Sequence, residues 1–458
     1  YPSDLIDSRL ELIDLWDDFD GGIIDQVNAK LLMRATNDNP SGTPTWTAWQ
    51  EFVNGTHGEA AALAMRILIR SAELMGAERL LDITSAHIDG CLYHGQASLD
   101  FVECLLEKGG RVAVPTTLNV GSMDLIHPEL FQGNEAQESQ ARKLMEVHIE
   151  LGCESTFTCA PYQGKNRPVK GQQIAWAESN AIVFANSVLG ARTNRYGDFL
   201  DLCAALTGRA PYSGLHLTEN RYGQVLYELQ DFPHQNDARD IWFAVLGLWV
   251  GGHVGNRIPV FSGLPLDTSE DELKALGAAA AATGAVGLFH ALGITPEATT
   301  LGDAFGGRDP TEVVPVSFKD LLQARKEMSV TKAGDKLVAV SLGTPHFSLT
   351  EFYKLHQLLI AQNSKLAVDF YVNTSRFILW ELEQSGLAQS MLNLGITIVT
   401  DTCTYITPIM RKSVGLVMTN SGKWAHYAPS TIGVQVAFGS LHECVLSAFK
   451  GEVVFNAN

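Results

Sequence analysis

Short apolar runs rich in β-branched residues recur through the last third of the chain: Leu337–Val340, Leu366–Val372, Ile396–Val399, Val414–Met418 and Val434–Phe438. Several are followed by a cap signal and an amphipathic stretch. Ser348-Leu-Thr-Glu351 and Ser440-Leu-His-Glu443 read as capping boxes, in which the serine and the glutamate three residues on satisfy the first free amides of a helix. Strands alternating with helices predict mainly parallel sheets with helices on both faces, an α/β fold. Near the front, periodicity predicts helices over His57–Leu74 and Phe101–Lys108, and a strand at Val112–Val114 ending at Pro115. The Ala/Gly-rich pattern Ala275–Leu292, which carries Thr283 and His290, predicts a tightly packed core helix. The turn-rich cluster Asp38–Pro44 marks a linker, and Leu10–Arg34 before it has helical periodicity and many acids. The expected organisation is an N-terminal extension and linker over 1–45, an α/β domain over 46–200, a helical or mixed region over 201–331, and a second α/β domain over 332–458.

At 458 residues the chain is too long for one simple core, in keeping with several domains. A formal net charge of -18 argues against nucleic-acid or anionic-membrane partners, because no basic patch offsets it. No stretch reaches the roughly 18 uninterrupted apolar residues of a spanning helix, and the start has no signal-peptide pattern. Seven thinly spread cysteines are an odd number and make a poor disulfide framework, which points to a reducing cytoplasm and free thiols.

Where strands end, the loops crowd with small polar and ionisable residues: Thr84–Cys91, Pro115–Ser122, Thr158–Tyr162, Ala177–Asn180, Gly190–Arg195, Gly343–His346, Asp401–Cys403 and Asn420–Tyr427. In open α/β sheets ligands bind at such strand ends. Cys159 and Cys403 each follow a threonine in one of these loops and Cys91 closes another, so the three are candidate metal ligands. Three thiolates from separate loops could hold an iron–sulfur cluster with one iron open to substrate; the close cysteine pairs typical of zinc are absent. Cys104, Cys203 and Cys444 lie in apolar helical patterns and read as small core residues, whereas Cys153 fits either role. His87, His346 and His426 could orient substrate or move a proton, while His148, His216, His290 and His356 read as packed or surface residues. Glu178 is either a partly buried carboxyl with a raised pKa or the partner of Arg192 or Arg195. That arginine pair, flanking Asn194, either grips a substrate carboxylate through bidentate contacts or braces its loop. Lys423, after Ser421-Gly422, suits an anion site.

Taken in order, these loops resemble the aconitase X family in its large, catalytic part, from about Gln50 to Phe455. The stretches Gly58–Arg66, Pro115–Gly121, Thr158–Tyr162, Ala175–Asn180, Phe184–Arg195 and Asn420–Tyr427 carry the resemblance. It implies an aconitase-like, multi-domain architecture, a 2Fe-2S or 4Fe-4S iron–sulfur cluster, and elimination of water from a small hydroxy acid. It also implies a small swivelling domain or subunit whose serine-rich loop completes the site; no such loop is found in this chain. Two activities belong to the family: dehydration of cis-3-hydroxy-L-proline to pyrroline-2-carboxylate, and an archaeal phosphomevalonate dehydration. The archaeal branch carries a cysteine in the loop corresponding to Gly343–His346, where this chain has Thr344. That departure favours the hydroxyproline activity and implies Cys91 as third ligand beside Cys159 and Cys403. By the same resemblance, Lys423 with Arg192 or Arg195 would hold the carboxylate, and Ser421 joins Lys423 among the catalytic groups. Glu178 or a serine of the missing domain would take the α-proton. His87 and Asn119 would fix the ring, with Ser85, Thr116, Asn180, Asn194 and His346 lining the pocket. A metal-free scaffold and a mononuclear metal dehydratase on the same cysteines are the alternatives.

Overall fold

The computed structural model describes residues 51–233, 238–329, 331–411 and 414–455. The expected extension, the Asp38–Pro44 linker and the Leu10–Arg34 pattern lie outside them.

Each of the five apolar runs of the last third contributes one strand to an all-parallel sheet, in the order Ile396–Val399, Asp369–Thr374, Ala339–Phe347, Leu416–Thr419, Gln435–Phe438. The central strand, Ala339–Phe347, is buried along all of its 9 residues, as a parallel strand covered on both faces must be. Both capping boxes form, at Ser348 with Glu351 and at Ser440 with Glu443. Pairing with Asp369–Thr374 is interrupted between Leu342 and Phe347, so Gly343–His346 bulge out of the ladder. Gly343 has φ 83°, and a Cβ there would lie 2.1 Å from the Asn373 carbonyl oxygen. Only glycine permits that approach, and it lets the turn carry His346 to the sheet's edge.

A smaller parallel sheet, ordered Thr116–Leu118, Ala86–Ile88, Ala175–Trp176, occupies the first part of the chain. Its central strand falls inside a segment expected to be loop. The strand expected at Val112–Val114 does not form. The Val112 amide is bonded to the Leu151 carbonyl and the Ala113 amide to the Ala205 carbonyl, so pairing starts only beyond Pro115. A third parallel sheet follows the order His290–Ala291, Pro259–Ser262, Val225–Gln230, Glu312–Ser317. An antiparallel pair, Leu80–Asp82 with Arg209–Pro211, completes the set among the described residues.

The helix expected over Ala275–Leu292 spans Glu270–Thr283 instead. It is capped by Ser269 with Glu272 and ends at Gly284, after which the chain turns to feed the strand His290–Ala291. This helix packs on Arg239–Val254 through a seam of small residues. A Cβ on Gly247 would lie 2.2 Å from the Leu276 carbonyl oxygen, and one on Gly251 would lie 2.6 Å from that of Ala280. The close approach fixes the helix and brings its N-terminal end, with Lys274, against the His346 turn.

Candidate active site

The strand ends of the first and last sheets meet through the loop after Ile396–Val399. Asp124 accepts hydrogen bonds from the Thr400 amide (2.8 Å) and hydroxyl (2.9 Å), and the Gly121 amide donates to the Asp401 carbonyl (2.7 Å). Arg376 grips the Asp401 carboxylate bidentately at 2.6 and 2.7 Å. This stitching delivers Cys403 to Cys159. His346, from the bulge after Gly343, completes the group: one ligand atom from each of the three lies within 4.8 Å of the others, and all three residues are buried. The His346 amide donates to Cys159 Sγ (3.3 Å), its Nε2 stands 3.7 Å from Cys403 Sγ and 3.2 Å from the Thr402 carbonyl, and its Nδ1 faces the Thr158 hydroxyl at 2.9 Å. Burial pushes the Cys159 thiol up, but the hydrogen bond with Cys403, the Lys423 charge and the His346 amide together bring it below the ordinary thiol value. The same shared hydrogen bond, with burial, drives Cys403 well above it.

Beside this group lies a buried ion pair between Glu178 and Lys423. Glu178 caps the helix Ser179–Ser187 through the Ala181 amide (2.7 Å), and Lys423 enters the first turn of Gly422–Thr431, capped by Ser421. Burial pushes the Glu178 carboxyl up, yet Lys423 and the amides hold it below the usual range. It is therefore neither a carboxyl with a raised pKa nor a partner of Arg192 or Arg195, the two expectations from sequence. His87 faces Glu178 from the centre of the three-stranded sheet. Its Nδ1 is 2.8 Å from the Thr117 hydroxyl, and that hydroxyl points on to the Ala86 carbonyl (3.4 Å). With the Thr117 hydroxyl donating to Ala86, the matching tautomer is protonated at Nδ1 with its lone pair on Nε2, which is buried without a partner. Burial lowers the ring to about 4, against the pull of Glu178. Asn119 Oδ1, Asn180 Oδ1 and Trp176 Nε1 are likewise buried and unpartnered. Orphaned buried polar atoms are uncommon, and several in one place describe a site shaped for a polar ligand. A cavity of about 200 Å³, lined in part by Thr117, Thr158 and Arg376, abuts both histidines' threonine partners.

Comparison with known proteins agrees with this construction. Models of the aconitase X first, second and third domains match residues 47–219, 223–326 and 337–450. The chain belongs to the aconitase X family. Similar family proteins include the cis-3-hydroxy-L-proline dehydratases of Hypocrea jecorina, 42% identical over 87% of this chain and 67% of that protein, and of Pseudomonas aeruginosa, 43% identical over 88% and 69%. The phosphomevalonate dehydratase large subunit of Methanocaldococcus jannaschii is 35% identical over 86% of this chain and 97% of its own length. A crystal structure titled Thermococcus kodakaraensis aconitase X (holo-form) superimposes with a TM-score of 0.78 at 32% identity, covering 89% of this chain and 100% of the other. These curated relatives of the family are dehydratases, that is, hydro-lyases. No helix among the described residues is long and apolar enough to cross a membrane.

The donor set fits a metal centre held by Cys159, Cys403 and His346. It does not fit three cysteines, because Cys91 lies elsewhere. Its side chain is fully buried in the core of the first sheet, with Sγ 3.9 Å from the Ile88 carbonyl. Burial, Cys153 and the acids Asp201, Asp89 and Asp198 push its thiol well above the ordinary value, and among the described residues it joins no group of side chains able to hold a metal. Arg192 and Arg195 are not brought to the ion pair either. Arg192 donates to the His216 carbonyl (3.0 Å) and Arg195 is exposed, while Asn194 braces the Ser213 carbonyl (2.9 Å) and the Leu215 amide (2.7 Å). Thr116 turns its hydroxyl back to the Val114 carbonyl, and His426 faces solvent. Ser85 is buried at the strand end beside His87, and Ser421 donates to the Thr344 carbonyl. Asn180 donates to the Cys159 carbonyl (2.9 Å), and Asn119 to Asp89.

Residues missed from sequence include Thr117, Thr158, Asp89 and Lys274. Thr117 was missed because its segment was expected to be loop; in the structure strand alternation puts it on the opposite face from Thr116 and in register with His87.

Proposed function

We propose that this chain is the catalytic part of a cis-3-hydroxy-L-proline dehydratase, releasing water to give pyrroline-2-carboxylate, with iron held by Cys159, Cys403 and His346. The observation that carries this reading is the convergence of those three side chains beside a neutral histidine with a free Nε2 and a buried carboxylate–ammonium pair. The two hydroxyproline dehydratases, at 42% and 43% identity against 35% for the archaeal large subunit, favour the imino-acid substrate. Thr344 in the Gly343–His346 turn points the same way. Because the chain spans 67–69% of those dehydratases but 97% of the archaeal large subunit, a small swivelling domain supplied from outside this sequence belongs to the proposal.

Lys423, charged and buried, holds the substrate carboxylate and the enolate-like charge that develops as the α-proton leaves. His87 Nε2 accepts that proton, and the nearby Glu178 carboxylate stabilises the imidazolium so formed. Asn180 and Asn119 offer their unpartnered carbonyl oxygens to the ring nitrogen and hydroxyl. Bound iron supplies Lewis acidity toward the departing hydroxyl. A mononuclear ion on the same three residues is the second form of this reading, and assays of iron and acid-labile sulfide separate it from a cluster. The test of function is incubation of iron-loaded protein, with a small domain of the family supplied, with cis-3-hydroxy-L-proline and separately with phosphomevalonate. Water loss from the first alone is expected; water loss from the second alone overturns the substrate assignment.

A further inference from the structure

We infer that Lys274 is a positioning residue for the metal pocket, reaching from the helix Glu270–Thr283 to set the His346 turn of the neighbouring sheet. The inference rests on the reading that Cys159, Cys403 and His346 hold a metal. Lys274 follows three consecutive acids at the helix start, a place where a lysine is ordinarily solvated, yet it is only 2% exposed. Its ammonium pairs with Asp271 at 3.0 Å and with Glu351, and it donates to the His346 carbonyl at 3.3 Å.

The surrounding bonds close a ring. Glu351 accepts the Ser348 amide (2.8 Å) in the capping box of Leu349–Ile360, and the Ser348 hydroxyl donates to Asp271 (2.8 Å). A buried ammonium and two carboxylates cost several kcal/mol in lost hydration, and apolar residues of similar size brace two elements as well or better. What the charged ring supplies and an apolar brace cannot is a charged donor on the His346 carbonyl, at 3.3 Å beside the neutral donor Gln163 Nε2, also at 3.3 Å. That backbone matters because its amide donates to Cys159 Sγ at 3.3 Å while its ring faces Cys403. One lysine therefore orients both the imidazole and the hydrogen bond that favours the Cys159 thiolate. Outer partners of metal ligands act in this way, and their loss weakens metal affinity by about 10- to 100-fold.

The test is an anaerobic cobalt(II) titration of the metal-free protein, followed by thiolate-to-cobalt charge-transfer absorbance. The informative variant is Lys274→Met combined with Asp271→Asn and Glu351→Gln, which removes the donor without stranding a buried charge. It should fold, as judged by circular dichroism and melting, and should bind cobalt roughly tenfold or more weakly with a shifted d–d band. Lys274→Arg, which keeps charge and donors, should stay close to wild type. A folded neutral variant with wild-type affinity and spectrum overturns the inference, and so does failure of the neutral variant to fold, which would assign Lys274 a purely structural role. If the unmodified protein itself gives no thiolate band, it is the metal reading that fails, a result distinguishable from either of these.

Discussion

Two groups of cysteines in this chain begin with the same chemistry and end with opposite characters. Cys159 and Cys403 sit together beside Lys423 and the His346 amide, which hold the Cys159 thiol below its ordinary value while the bond to Cys159 and burial drive Cys403 above it. Cys91, Cys153 and Cys203 lie in the core of the first sheet, where burial and the Asp201 carboxyl push every thiol up. Burial alone does not separate them, since all five are buried. Convergence does: among the described residues only Cys159 and Cys403 bring their sulfurs to an imidazole. A strand-end cysteine is a candidate ligand when its loop meets other donor side chains, and a small core residue when its loop closes into apolar packing.

Paired substitution breaks this comparison most sharply. Cys403→Ser should abolish bound iron and lower turnover by at least about a hundredfold, whereas Cys91→Ser should keep its iron and lose only about 1–3 kcal/mol of stability from a buried hydroxyl. Iron analysis with denaturant unfolding reads both. His87→Gln should lower kcat by about 10²- to 10⁴-fold without releasing iron, as expected for a proton acceptor outside the ligand set. Lys423→Met strands Glu178 as an unpaired buried charge and should cost about 3–5 kcal/mol. Glu178→Gln added to it should recover most of that loss, in the same unfolding measurement.

The smallest effect uses pH. Burial raises Asp201 from 3.8 to about 8, against the amide bond from Asp89. A raised carboxyl favours the folded state below its unfolded value and loses that advantage as pH rises toward 8. Asp201→Asn should therefore gain stability over wild type by a margin that grows as pH rises from 5 to 8. His87 has the opposite sign. Its lowering from 6.5 to about 4 gives stability that is present above 6.5 and lost as pH falls through 4. Melting midpoints of wild type and D201N across pH 5 to 8 check the first claim, and a constant difference would contradict it.

Much of the frame was legible in the sequence. Apolar runs with capping boxes located the last sheet, because strand period and helix caps are local signals. The loops bearing Cys159, Cys403, Glu178 and Lys423 were readable as strand-end loops of polar residues, whereas His87 fell in a strand. What failed was partner choice. Arg192 and Lys423 look alike as candidates for Glu178, and only the meeting of first and last sheets decides between them. Cys91 failed for the same reason: its strand leads into a core of acids that no local spacing reveals. The absent strand at Val112–Val114 was settled by hydrogen bonds to distant segments, and the helix end at Gly284 by its close approach to the Gly251 carbonyl.

The most direct test is X-ray absorption at the metal edge of cobalt(II)-loaded protein. The account predicts a shell of two sulfurs and at least one imidazole nitrogen, with the imidazole signature lost in His346→Ala and the spectrum unchanged in Cys91→Ser. A shell of three sulfurs that loses one in Cys91→Ser would contradict it.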